Sequence, residues 1–129
     1  MKNIQKKINY NKKLYRLIVS TYSNGRICLE LENNTSIYEI TTDLPDVYCL
    51  DNLVFLNYNI VSNGILNILK KLKIVDKVVS TFHYDYAEIP IAKLNIGKIR
   101  KYDNNGVNQH LNKSQKEIFE DNENVGRFF

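Results

Sequence analysis

Between Leu14 and Thr21 the side chains alternate: Leu14, Arg16, Ile18 and Ser20 fall on one side, Tyr15, Leu17, Val19 and Thr21 on the other. A period of two is the pattern of a β-strand with one buried face. Ile27, Leu29 and Leu31 repeat it, and Tyr38 and Ile40 can pair with them. Turn signals separate these runs at Asn9 to Lys12, at Ser23-Asn24-Gly25 and at Asn33-Asn34, where Asn and Gly supply the positive φ that tight hairpins need. The first 42 residues therefore predict an antiparallel meander of three or four strands.

Pro45 cannot donate to a ladder, so Asp43-Leu44-Pro45-Asp46 ends that sheet segment. A short strand is predicted at "NLVFLNY", followed by a helix at "SNGILNILKKLK". Ile65, Leu66, Ile68, Leu69 and Leu72 fall on one side of that helix, Ser62 or Asn63 can cap it, and Lys70, Lys71 and Lys73 suit its C-terminal end. Alternation returns in "KVVSTFHYDYAEIPIAKLNI", which reads as one long bent strand or two short ones, with Pro90 at an edge, an end or a bulge. From Gly97 the pattern dissolves into polar, Asn-rich sequence. The fold expected is α+β: a twisted antiparallel sheet of five or six strands with one helix packed on a face. Residues 1–96 form the domain, and 97–129 a polar linker and tail with a brief helix capped by Ser114 and Glu117.

A chain of 129 residues fits one domain, and 43% hydrophobic with 25% charged residues is ordinary for a globular protein. No apolar run approaches the roughly 20 residues of a membrane helix, and the charged start of the chain lacks the apolar centre of a signal peptide. Both point to a soluble, cytoplasmic protein. Cys28 and Cys49 match no zinc spacing, which suits two reduced thiols and no cofactor or metal.

The net charge of +4 conceals a sharp sorting. Lys2, Lys6, Lys7, Lys12, Lys13, Arg16 and Arg26 precede any acid, whereas Ile27 to Asp46 holds Glu30, Glu32, Glu39, Asp43 and Asp46 and no Lys or Arg. If Ile27, Leu29 and Leu31 turn inward, Glu30 and Glu32 turn outward, and Glu39 lies opposite or diagonal to Glu30. Like charges so placed cost roughly 0.2 to 1 kcal/mol. Either Arg16 or Lys13 on the preceding strand neutralises them, or the acids form a docking patch for a basic protein partner. An alternative interface is nucleic-acid binding by the N-terminal hairpin, where Lys6, Lys7, Lys12, Lys13 and Arg16 flank Tyr10. Self-association through an edge strand is a third reading.

Little suggests catalysis. The glycines form no phosphate loop, and no Ser or Cys sits in a nucleophile motif. His83, with Asp85 close by in sequence, reads as a strand histidine with a hydrogen-bond partner, and His110 as solvated. A non-enzymatic protein is expected.

"YSNGRICLELE", "YEITTDLPD", "LVFLNYN" and "YDYAEIPIAKL" together resemble an uncharacterised family of small proteins carried on bacterial conjugative and other mobile elements. The corresponding positions are Asn24-Gly25, Thr42 to Pro45, Phe55 to Asn57 and Tyr86 to Pro90, within residues 8–96. The resemblance implies an α+β fold and a mobile-element setting, and it supplies no catalytic residues. By analogy of setting, the expected role is that of an anti-CRISPR-like inhibitor. Its acidic face would occupy a basic nucleic-acid groove of a host-defence complex such as a CRISPR–Cas effector.

Overall fold

The computed structural model describes residues 6–50 and 53–126, with side chains as far as Lys113. The chain is α+β, built on two antiparallel sheets.

The first sheet holds β1 (Lys7–Tyr10), β2 (Lys13–Thr21), β3 (Ile27–Glu32) and β4 (Ile37–Glu39) in sequence order. The predicted meander is present, and each turn is made by the residues that signalled it. Asn11 and Lys12 both take positive φ, 53° and 64°, which closes β1 and β2 through a two-residue turn. Gly25 takes φ 88° between β2 and β3. The side-chain oxygen of Asn33 accepts from the Thr35 and Ser36 amides, both at 2.9 Å, and shapes the turn into β4. Tyr15, Leu17, Val19, Ile27, Leu29 and Leu31 face a buried core, as the alternation requires.

Ile40 to Thr42 carry the chain from one sheet to the next. The Ile40 amide donates to Leu29 at 2.9 Å, while the Thr42 amide donates to Phe55 at 3.0 Å. Buried Thr41 ties the crossing together: its hydroxyl oxygen accepts from the Leu29 amide at 3.0 Å and lies 2.9 Å from the Tyr22 hydroxyl. The second sheet has the order β5-β7-β6, with β5 (Leu53–Phe55), β6 (Val75–Tyr84) and β7 (Ala87–Leu94). The expected single sheet is thus two, because the extended chain changes partner at Thr41. "KVVSTFHYDYAEIPIAKL" is a hairpin turning at Asp85-Tyr86, with Asp85 at φ 52°. Pro90 lies inside the central strand. Its carbonyl accepts from the Leu56 amide at 2.9 Å, one position past the last β5 pair at Phe55–Ile91, so the missing N–H falls at the end of that ladder rather than inside it.

The predicted helix is interrupted. α1 (Asn59–Ser62) and α2 (Ile65–Lys71) are separated by Asn63 and by Gly64 at φ 83°. Of the two proposed capping residues, Asn63 makes the contact, its Oδ1 accepting from the Ile65 amide at 3.1 Å, whereas the Ser62 hydroxyl donates to the Asn59 carbonyl. Ile60, Ile65, Leu66 and Leu69 enter the core shared with the first sheet and with Val54, Leu56, Val75, Ala92 and Leu94.

The segment read as a linker from Gly97 is helical: α3 runs Ile96–Gly126 and is broken at Asp103, whose φ −152° and ψ 75° are not helical. The polar residues that suggested a loop are its caps. Asn95 Oδ1 accepts from the Lys98 amide at 3.1 Å, and Asp103 Oδ1 from the Gly106 amide at 3.0 Å. Ile99, Tyr102 and Val107 are buried in the core, so this part belongs to the folded unit rather than to a tail. β1 pairs only with Lys13–Arg16, and farther along β2 α3 packs against the strand. There Asp103 Oδ2 accepts the Val19 amide at 2.9 Å, a buried bond that caps an otherwise open sheet edge. Lys2, Phe128 and Phe129 lie outside the described residues, as do the side chains of Ser114, Glu117, Ile118, Phe119 and Val125.

Candidate docking face

The face of the first sheet opposite the core carries Lys7 and Asn9 from β1; Leu14, Arg16, Ile18 and Ser20 from β2; Cys28, Glu30 and Glu32 from β3; and Ile37 and Glu39 from β4. Register arranges them in rows across the strands. One row reads Lys7, Arg16, Glu32, Ile37. The next reads Ile18, Glu30, Glu39.

These two rows treat their acids differently. In the first, Arg16 Nη2 lies 2.6 Å from Glu32 Oε1, so the neighbouring strand supplies the counter-charge. In the second, the position beside Glu30 is Ile18, and Glu39 lies directly opposite Glu30. Neither Glu30 nor Glu39 has an ion pair among the described residues. Ile37, 63% exposed, borders the pair on β4.

The other two candidate acids leave this face. Asp43 is half-buried beyond β4, accepts from Asn24 Nδ2 at 2.9 Å and lies 3.8 Å from Arg26 Nη1. Asp46 is exposed in the turn closed by the Val47 amide on the Leu44 carbonyl. The predicted five-carboxylate patch therefore contracts to Glu30 and Glu39, with Glu32 already paired. The sorting of charge in the sequence is real, but the change of partner at Thr41 carries Asp43 and Asp46 off this face.

The N-terminal hairpin is placed otherwise than base binding requires. Lys6, Lys7, Lys12 and Lys13 are exposed, and Arg16 is engaged by Glu32. Tyr10 is not offered to solvent as a stacking platform. Its hydroxyl donates to the Asn63 carbonyl at 2.8 Å, and its ring packs against Tyr15 and Tyr38 at centroid distances of 5.9 and 5.6 Å.

Of the groups weighed for chemistry, His83 Nδ1 lies 3.9 Å from Glu88 on the neighbouring strand, not beside Asp85. His110 is half-buried rather than solvated, its Nδ1 2.8 Å from the Thr21 hydroxyl. Cys28 and Cys49 are free and half-buried, and burial raises the Cys49 thiol pKa. Among the described residues no group of three or more His, Cys, Asp or Glu side chains is arranged to hold a metal ion, and no helix is long and apolar enough to cross a membrane. The chain matches no protein-family model, no curated protein and no solved structure.

Proposed function

We propose that the chain is a non-enzymatic binding protein that docks on a basic groove of a nucleic-acid-handling protein through the outer face of its first sheet. The observation that carries this is the Glu30–Glu39 pair. Two carboxylates are held opposite each other on adjacent strands with no ion pair among the described residues, one row away from an acid the sheet does neutralise. A partner contributing Lys or Arg relieves that repulsion on binding, and the exposed Ile37 and half-buried Ile18 add apolar contact. The sequence resemblance supplies the setting. In a mobile element, the partner is a host-defence complex, and the role is that of an anti-CRISPR-like inhibitor occluding the groove that holds nucleic acid.

The test is target cleavage by a panel of RNA-guided nucleases with and without the protein, repeated with Glu30→Lys/Glu39→Lys. The double reversal keeps a like-charged pair, so its stability should match the wild type while its sign is opposite. Inhibition of a nuclease that the double variant abolishes supports the reading. Inhibition that survives the reversal, or no inhibition across the panel, overturns it.

A further inference from the structure

The second sheet has a face turned away from the main core, and its register separates two kinds of residue. Leu94, Ala92, Pro90 and Glu88 of β7 share one face with Val75, Val78, Thr81 and His83 of β6. Val54, Val75, Ala92 and Leu94 from that side enter the main core. Lys93, Ile91 and Ile89 share the other face with Lys77, Ser80 and Phe82, and Tyr84 continues it toward the hairpin tip.

Three features of that second face converge. Lys77 lies directly opposite Lys93, and neither has an ion pair among the described residues. None of the paired β6 and β7 positions on this face is acidic: Glu88 points to the other side with His83, and the nearest acids in sequence, Asp76 and Asp85, occupy the register irregularity after Val75 and the turn. Aromatic rings run outward from a buried anchor. Phe55 is buried, Phe82 is 5.9 Å from it, and Tyr84 is 6.2 Å from Phe82 with the last two ring planes only 30° apart. Tyr84 is 46% exposed.

We propose that this face binds single-stranded nucleic acid, with the backbone phosphates at Lys77 and Lys93 and a base stacked on Tyr84 and the rim of Phe82. The chemistry is that of a stacking platform and a pair of cations on one sheet face, about 20 Å apart along β6, a distance that an extended strand of several nucleotides spans. Phosphate relieves the repulsion between the two lysines, and the rings accept any base. A duplex buries its base faces, so it cannot use the rings. This site is distinct from the acidic face of the first sheet and does not depend on it.

The experiment is fluorescence anisotropy of the full chain with labelled oligo(dT) and oligo(rU) of about 12 nucleotides, within the range one small platform covers, and with a duplex of equal length. Two phosphate contacts on a single strand predict a log–log salt slope of about −1.4, which Lys77→Glu reduces by about 0.7 or more. Tyr84→Ala should weaken binding at least about 5-fold. Lys77→Glu places opposite charges across the ladder and Tyr84 is half-exposed, so both variants should fold; melting curves confirm this. Glu30→Lys/Glu39→Lys should leave oligonucleotide binding no weaker, which separates this site from the docking face. Preference for single strands with loss in both Lys77→Glu and Tyr84→Ala supports the proposal. Absence of binding at low salt, equal binding to duplex, or insensitivity to both variants overturns it. It is equally overturned if the variants weaken only a protein complex, since the face then docks protein.

Discussion

The two sheets each carry a like-charged pair directly across a ladder, of opposite sign: Glu30 with Glu39 in the first, Lys77 with Lys93 in the second. Their surroundings differ. β3 lies between two paired strands, and behind Glu30 stand Leu29 and Leu31, both fully buried, so the repulsion is held on a rigid platform. β6, which carries Lys77, is an edge strand, as β4 is for Glu39, and Lys93 lies on the central β7. Because β5 pairs only with Ile91–Lys93, the rest of the hairpin continues as a two-stranded ribbon. The edges also differ. Beyond β1, β2 is met by α3 through Asp103, whereas the outer edge of β6 interrupts its own ladder with two irregularities. A sheet that tolerates repulsion because it is well anchored should respond to loss of its anchor far more than to relief of the repulsion.

Asp103→Ala breaks the anchor. It removes the cap of the second helical segment and leaves the buried Val19 amide without that acceptor, which together cost about 2 to 4 kcal/mol. Gly106→Ala attacks the same joint. A Cβ there would collide with Asp103 Oδ2 and lie 2.7 Å from the Val19 carbonyl oxygen, and Asp103 cannot retreat without giving up its bond to the Val19 amide. Urea denaturation should show the loss. Amide exchange should place it in β2 before β7, and equal acceleration in both sheets would mean that α3 does not distinguish them.

That joint was also the least legible part of the sequence. β1 to β4 were readable because alternation, turn residues and burial agree over short stretches. Ile27, Leu29 and Leu31 are inward as their spacing requires, and Glu30 meets Glu39 because the Asn33 turn fixes the register. α3 was hidden because its apolar positions, Ile96, Ile99, Tyr102, Val107 and Leu111, are spread thinly among Asn residues that normally favour loops. Helical spacing was present, as were two capping residues at Asn95 and Asp103, but the break at Asp103 shifts the phase of the pattern between Tyr102 and Val107. Two sheets read as one because nothing at Thr41 marks a change of partner. Asp43 looked equivalent to Glu39 for the same reason, since it shares the acidic stretch but lies past the crossing. The Lys77–Lys93 pair required the register of the hairpin, which the irregularities after Val75 and Val78 conceal.

Relief of the two repulsions tests the comparison more finely. Glu39→Lys creates an opposite-charge pair with Glu30, and Lys77→Glu creates one with Lys93. Each should stabilise the fold by roughly 0.2 to 1 kcal/mol in thermal or urea melts, and added salt should shrink the gain. If binding is what retains these pairs, each variant gains stability while losing its partner, Glu39→Lys the nuclease and Lys77→Glu the oligonucleotide. A destabilised Glu39→Lys would show that Glu30 and Glu39 are not repelling each other, and the platform argument fails with it.

The smallest effect is a pH dependence on the first sheet's side alone. His110 sits on α3 beside Thr21 at the end of β2, and burial, with help from the Lys113 charge, lowers its pKa below the ordinary 6.5. The unfolded chain then binds a proton that the folded chain resists. Stability is fully present above about 6.5 and declines as pH falls through that value toward the lower folded pKa, because the unfolded state takes up more protons there. His110→Gln keeps a polar group near Thr21 and removes the titration, so its stability should vary less between pH 7 and pH 5 than that of the wild type. Since His110 is only half-buried, the difference should be a modest slope rather than a transition. It should also appear in exchange of the β2 amides and not in those of the β6–β7 ribbon. A ribbon that loosened equally would mean the proton acts on the whole core, and the independence of the two sheets' edges would have to be given up.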